Sequence, residues 1–289
     1  MLPVRAARLG APLLLCPANL APLAARDTVL VVHDAAALRH PAWYSRAYAG
    51  WQGRLLPRLV ARARRIVTVS AFSRGELVEL LGADPARITV IPGGVDDRFT
   101  PAADPGPARR AHGLDRPYVL CVASHTARKN LGALVPAARR LAREGIDVVV
   151  AGGHRPQFTR ERGLARLRLL GHVDDAVLPG LYAGAEAFAL PSLYEGFGLP
   201  LVEAMACGTP VVATAAGALP ETCAGAARLV DDPAELAGAL AAVLGDREVR
   251  ARLREAGLAR AGELTWDRAA RAMDALLQAE AAAPPRRGI

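Results

Sequence analysis

The sequence predicts an α/β protein made of two doubly wound domains that face one another across a cleft. Three observations carry that expectation. Short runs rich in Val, Ile and Leu alternate with helical patterns, as parallel strands covered by helices on both faces require. A stretch rich in Pro, Gly and Asp, 100–117, interrupts the alternation and has no apolar period. A second alternating series follows it, and ligands in such sheets sit beyond the carboxyl ends of the strands. With 289 residues and 52% apolar content, the chain can fill two cores of this kind.

The opening "MLPVRAARLGAPLLLCP" sets arginines before a leucine run that Pro12 breaks, too short for a signal peptide. It reads as an N-terminus leading into a buried strand. No run approaches the roughly 20 apolar residues of a membrane span. Strands are expected at 28–34, 66–70 and 88–92. Between them "RLLPRLVARARR" and "SRGELVELLG" read as helices, the second with Ser73 as N-cap, Glu76 at the reciprocal capping position and Gly82 as its stop. Residues 101–117 are expected to link a first domain, 1–100, to a second, 118–270. The second domain's strands lie at "YVLCVAS", "DVVVAGG", "LRLLGHV", "AFALPS" and "PVVAT". From Asp231 the pattern is helical, and 271–289 form a helix end and a frayed tail.

The net charge of +8 suits an anionic partner, although a chain this rich in Ala, Gly, Pro and Arg acquires such a charge from composition as well. Only 4% of residues are aromatic and no base-reading element stands out, so nucleic acid is not expected as a partner. Cys16, Cys121, Cys207 and Cys223 lie far apart with no metal-ligand spacing, which points to reduced thiols, no structural zinc and a cytoplasmic location. The acidic pairs Asp96-Asp97, Asp174-Asp175 and Asp231-Asp232 read as caps and turns. Arg54, Arg58, Arg62, Arg64 and Arg65 could meet anionic lipid at the inner face of a membrane or simply form a solvated helix face. Lys129 is the single lysine among 36 Lys and Arg residues.

"LPSLYEGFGLPLVEAMACGTPVVAT" (190–214) carries the chemistry. A strand ends at Ser192, a loop holds Glu195-Gly-Phe-Gly, a helix starts near Leu199 with Pro200 in its first turn, and Gly208 ends it. The amide groups at such a helix start attract phosphate. Glu195 and Glu203 can address two parts of an extended ligand, complement the positive helix end, or flank a scissile glycosidic bond; spacing alone leaves all three open.

This window resembles glycosyltransferase family 4, retaining enzymes of the GT-B fold with two Rossmann-like domains. The resemblance continues through "RKNL" (128–131), "GHVDD" (171–175), "LPGLYAGAEAFALPSLYEG" (178–196), "TVSAFSRGELVELLG" (68–82) and "VVHD" (31–34), and is nearest to mannosyltransferase-like members. It implies that Arg128 and Lys129 grip the diphosphate of a nucleotide sugar and that Glu203 holds the ribose hydroxyls. It likewise assigns Glu195, Phe197, Gly198 and Leu199 to the donor sugar and phosphate, Val173 to the border of the base, and His33 to the reacting sugar. Glu195, His33 and Lys129 are the catalytic candidates, with no metal and no cofactor beyond the donor substrate. The implied acceptor is a glycan or lipid-linked glycan, and the implied donor GDP-mannose or a UDP-hexose. Relative to the family pattern the chain starts inside the first domain, so a truncated N-terminal domain is expected, and a donor-binding module without catalysis is the alternative. Gly93, Ala123 and Thr126 stand where relatives usually carry Asn, Gly and an acidic residue.

Overall fold

The computed structural model describes residues 10–25, 27–153, 157–158, 161 and 163–284. The first nine residues and the end of the expected tail, 285–289, lie outside the described residues. The chain divides into two compact units, Met1–Gly93 with Trp266–Ile289, and Gly94–Thr265.

The first unit holds four parallel strands in chain order: β1 (Leu14–Cys16), β2 (Thr28–Val31), β3 (Arg65–Thr68) and β4 (Ile88–Val90). A strand does follow the N-terminus as expected, but β1 is an edge strand and is not buried: Leu15 is exposed and only Cys16 is buried. Helices α1 (Ala36–Arg39), α2 (Arg46–Arg62) and α3 (Ala71–Leu81) follow β2 and β3. Ser45 caps α2 by accepting from the Tyr48 amide, and Gln52, Leu56, Leu59 and Val60 turn inward at helical spacing. The start of α3 differs from the sequence reading. Ser70, not Ser73, is its N-cap: the extended Ser70 accepts from the Ser73 amide at 3.0 Å, so the helix begins three residues earlier. Glu76 is consequently mid-helix and buried, paired with Arg39 at 2.6 Å. Gly82 does stop the helix, at φ +59°.

The C-terminal helix, Trp266–Ala282, belongs to this first unit, where Ala269, Met273, Leu276 and Leu277 pack on Val29, Val31, Val67 and Ile91. Its Glu280 accepts from Arg64 Nε at 2.8 Å and Arg65 Nε at 2.7 Å, while Asp27 takes Arg64 Nη1 at 3.0 Å. Arg64 and Arg65 are therefore removed from the lipid-facing set: Arg64 is 7% exposed, and both guanidiniums are committed inside the unit.

The second unit holds six parallel strands: β5 (Tyr118–Val122), β6 (Asp147–Ala151), β7 (Arg168–Gly171), β8 (Ala187–Leu190), β9 (Val211–Thr214) and β10 (Arg228–Val230). Their order is β10-β9-β8-β5-β6-β7. Counted within the unit this is the 3-2-1-4-5-6 order of dinucleotide-binding sheets, which reverses direction between β5 and β8 and opens a crevice beyond their carboxyl ends. Those two strands pair through Val119↔Ala187 and Leu120↔Phe188. Among the described residues the unit has seven α-helices: α4 (Gly106–His112), α5 (Val135–Leu141), α6 (Leu178–Ala183), α7 (Leu199–Ala206), α8 (Leu219–Cys223), α9 (Leu236–Gly245) and α10 (Arg247–Glu263).

The expected linker, 101–117, is not one. It lies wholly within the second unit, whose boundary falls at Gly93/Gly94, and it contains α4. Ala108 and Leu114 are the anchors, both buried in the sheet's core. Its Asp and Gly residues serve the helix ends: Asp104 Oδ1 accepts from the Gly106 amide, and Gly113 closes the helix at φ +60°. The boundary expected at 270 falls instead at Thr265/Trp266. Asp96, Asp174 and Asp232 accept backbone amides two residues ahead, as caps and turns should. The four cysteines are buried and free. Among the described residues no helix is long and apolar enough to cross a membrane, and no group of three or more His, Cys, Asp or Glu is placed to hold a metal.

Candidate active site

The site lies where the topology of the second sheet places it, in the loops leaving β5 and β8. After β5 the chain runs beside β6, with the Ala123 amide donating to Ala151 and the His125 amide to Gly153. Gly152 permits this approach: a Cβ there would stand 2.3 Å from the Ala123 carbonyl oxygen, and its φ is +122°. A single turn, Ala127–Lys129, then ends at Asn130 in the left-handed region, φ +49°. That turn seats Arg128 half-exposed and Lys129 buried.

The loop after β8 comes to meet it. The Leu193 amide donates to the Arg128 carbonyl at 2.9 Å, and Lys129 Nζ bonds Glu195 Oε1. Ser192 Oγ donates to the same oxygen at 2.6 Å, and Thr214 Oγ1 fixes the Ser192 carbonyl. Farther along, Glu195 and Phe197 lend their carbonyls to the Ala218 amide and Thr222 Oγ1. Burial alone would push the Glu195 carboxyl up; the Lys129 ammonium and the Arg128 guanidinium outweigh it and hold the carboxyl below its ordinary value. Two cations thus share one buried carboxylate.

Helix α7 starts beside this cluster. Its N-cap is Gly198 at φ +94°, no side chain caps it, and Pro200 sits in the first turn as expected. Among the described residues, no side-chain cap takes up the amides at this helix start. One turn along α7, Glu203 Oε2 accepts from the Tyr182 hydroxyl at 2.6 Å. Burial raises the Glu203 carboxyl, against the opposing pull of that bond and of Arg98. Arg98 also donates to the Asp175 carbonyl at 3.4 Å, two residues from the buried Val173.

Arg128, Lys129, Glu195, Phe197, Gly198, Leu199 and Glu203 accordingly lie on the turn after β5, the loop after β8 and the start of α7, and Val173 lies two residues before Asp175, whose carbonyl Arg98 reaches. His33 belongs to the first unit, two residues beyond β2; its amide donates to Asn19 Oδ1 at 2.8 Å, and its Nε2 lies 2.9 Å from the Pro17 carbonyl. Two residues that sequence reasoning missed are Tyr182 and Arg98. Tyr182 carried a signal, a lone polar aromatic in an otherwise apolar helix. Arg98 carried none, being one arginine among 35.

Residues 116–246 match the family described as Glycosyl transferases group 1, and residues 10–99 match Glycosyltransferase Family 4. The O-antigen chain mannosyltransferase B of Escherichia coli is 32% identical over 83% of this chain and 67% of its own length. A D-inositol 3-phosphate glycosyltransferase of Xylanimonas cellulosilytica is 38% identical over 81% and 62%. The chain spans about half to two thirds of the length of such relatives. Among solved structures, sucrose-phosphate synthase from Thermosynechococcus elongatus superposes with a TM-score of 0.72 at 26% identity, over 87% of this chain and 67% of that one. Anabaena Alr3699/HepE, solved with UDP-glucose, gives 0.72 at 21%, over 87% and 72%, and bears on the fold alone. By these matches, and by its Glu195–Glu203 helix start, the chain belongs to glycosyltransferase family 4 and has the GT-B fold.

Proposed function

We propose that the chain transfers a hexose from a nucleoside diphosphate sugar to an acceptor hydroxyl with retention of anomeric configuration, in polysaccharide or cell-envelope glycan synthesis. The observation that carries this reading is the buried Lys129–Glu195 pair, with Arg128 beside it, at the uncapped start of α7. Two cations and an uncapped helix start gathered beside one carboxylate suit a diphosphate, which can accept from both side chains and from the helix amides. As the bond from the anomeric carbon to the diphosphate oxygen breaks, negative charge grows on the leaving group. In this reading Arg128, Lys129 and the amides at Gly198–Leu199 meet that charge and stabilise the leaving group.

The acceptor oxygen bonds to the anomeric carbon on the face the diphosphate leaves, and its proton passes to a departing phosphate oxygen. Glu195 orients Lys129 and touches the donor sugar, Glu203 takes the ribose hydroxyls with Tyr182 fixing its rotamer, and the backbone at Val173 borders the base. His33 holds donor or acceptor. No metal or further cofactor takes part. The E. coli relative's name supports a mannosyl donor; GDP-mannose and a UDP-hexose are the two candidates. Four free thiols support a cytoplasmic location, and the acceptor is a glycan or lipid-linked glycan.

Calorimetric titration with GDP-mannose and with UDP-glucose, followed by NMR of the product's anomeric proton, tests the reading. It expects one donor to bind and the product to keep that donor's anomeric configuration. Binding with neither transfer nor hydrolysis would reduce the chain to a donor-binding module, and an inverted product would overturn the retaining step.

A further inference from the structure

Helix α2 carries a solvent face with no counterpart elsewhere in the described residues. Between Asp34 and Glu76 the sequence has no Asp or Glu, yet it has arginines at 39, 46, 54, 58, 62, 64, 65 and 74. Arg39, Arg64 and Arg65 are consumed by internal ion pairs. Arg54, Arg58 and Arg62 are exposed, four residues apart, on one side of α2. Trp51 precedes them on the same stripe and is 44% exposed, although it is among the largest apolar side chains in the protein. At 100° per residue, positions 51, 54, 58 and 62 fall within about 80° of one another, along about 17 Å of helix.

An Arg-rich composition does not explain this stripe. Helix α10 and the C-terminal helix have the same 17 residues as α2, and each interleaves three acidic residues with its arginines: Glu248, Glu255 and Glu263 in one, Asp267, Asp274 and Glu280 in the other. Helix α2 has none, and like charges at i, i+4 destabilise an isolated helix. At the N-terminal end Tyr48 is tilted against Trp51 at 5.9 Å and stacks at 5.4 Å on Tyr44, a buried residue just before the helix that backs the two rings. Tyrosine and tryptophan favour the headgroup boundary of a bilayer, while long arginines reach phosphate over a buried alkyl stem.

We infer that this face of α2 docks on a bilayer surface containing anionic lipid, with Trp51 entering the headgroup layer and Arg54, Arg58 and Arg62 meeting lipid phosphates. The inference is independent of the catalytic reading, because it concerns only the first unit.

Flotation of the full chain with vesicles tests it. Vesicles of phosphatidylcholine with about one third phosphatidylglycerol should carry the protein upward, and pure phosphatidylcholine vesicles should not. Near an anionic surface each arginine is worth roughly fivefold in partitioning, so Arg54→Gln/Arg58→Gln/Arg62→Gln should weaken binding about 100-fold. The charge-matched control Arg143→Gln/Arg247→Gln/Arg252→Gln, on exposed positions of the second unit, should change it less than tenfold. Tryptophan emission should shift to the blue on anionic vesicles in the native chain and not in Trp51→Ser. Equal loss in both triple variants would mean that net charge alone drives adsorption, and would overturn the assignment. So would failure to float on anionic vesicles, or tighter binding to duplex DNA than to the vesicles in the same salt.

Discussion

Each of the two units buries a basic residue against a carboxylate, and they do it to opposite effect. In the first, Arg64 precedes β3, at the amino edge of its sheet. Its Nε, Nη1 and Nη2 donate to Glu280, Asp27 and the Ala283 carbonyl. Each of its three nitrogens has an acceptor. In the second, Lys129 sits beyond the carboxyl end of β5, and Glu195 is the one hydrogen-bond partner described for its three-donor ammonium. A guanidinium whose nitrogens all have acceptors fastens a helix to a sheet. On the proposed reading, the ammonium beside a second cation keeps donors for the diphosphate, and the single lysine of the chain stands at that site while arginine serves the fastening one.

The largest expected effect lies at Lys129. Lys129→Ala strands a buried carboxylate, so unfolding free energy should drop by about 3 to 5 kcal/mol, and transfer by roughly 10²- to 10³-fold. Stability and activity are separated by Lys129→Met/Glu195→Met, which removes both charges: urea unfolding should recover most of the loss while turnover stays low. Recovery of turnover as well would make the pair structural, like Arg64–Glu280.

Arg64→Ala comes next. It should cost about 3 kcal/mol in the same unfolding measurement, at the lower end for a broken buried pair because Arg65 remains on Glu280. Tyr182→Phe is smaller. Removing the donor to Glu203 should weaken nucleoside diphosphate binding by about 1 to 2 kcal/mol in calorimetry, with a nucleotide lacking the ribose hydroxyls showing no further loss.

The two glutamates of the site separate by pH. Glu195 is depressed on folding, so its contribution to stability is present above the ordinary carboxyl value of 4.5 and is lost as pH falls through its lower folded value. Glu203 is raised, so it opposes folding near neutrality, and that penalty fades as pH falls through its folded value. Urea midpoints measured from about pH 3 to 7 should therefore show Glu203→Gln stabilised near neutrality, and Glu195→Gln with a flatter loss below the carboxyl range. Matching profiles for the two variants would erase the distinction between a carboxylate held by a buried ammonium and one held by a neutral hydroxyl.

What could be read in the sequence follows the range of the interactions. The central strands announce themselves because a segment buried on both faces must be continuously apolar, as "YVLCV" and "DVVVA" are; β10 was missed, because this edge strand is three residues long and opens on the exposed Arg228. The α7 start was legible because Gly198, Pro200 and Gly208 act within one turn of themselves. Helix α4 was hidden because only Ala108 and Leu114 anchor it, too few to show a period among prolines. Ser70 lost to Ser73 as a cap because both precede the same apolar run, and only the backbone of Ser70 is extended. The pairing of Arg64 with Glu280 spans 216 residues, and nothing local to "TWDRAARAMDALLQAE" says that this helix returns to the first unit.

A crystal structure with a nucleoside diphosphate bound puts the question most directly. Its phosphates should lie on Lys129 Nζ, the Arg128 guanidinium and the amides opening α7, with a ribose hydroxyl on Glu203. A diphosphate seated elsewhere on the chain, with Lys129 still closed on Glu195 alone, would contradict the account.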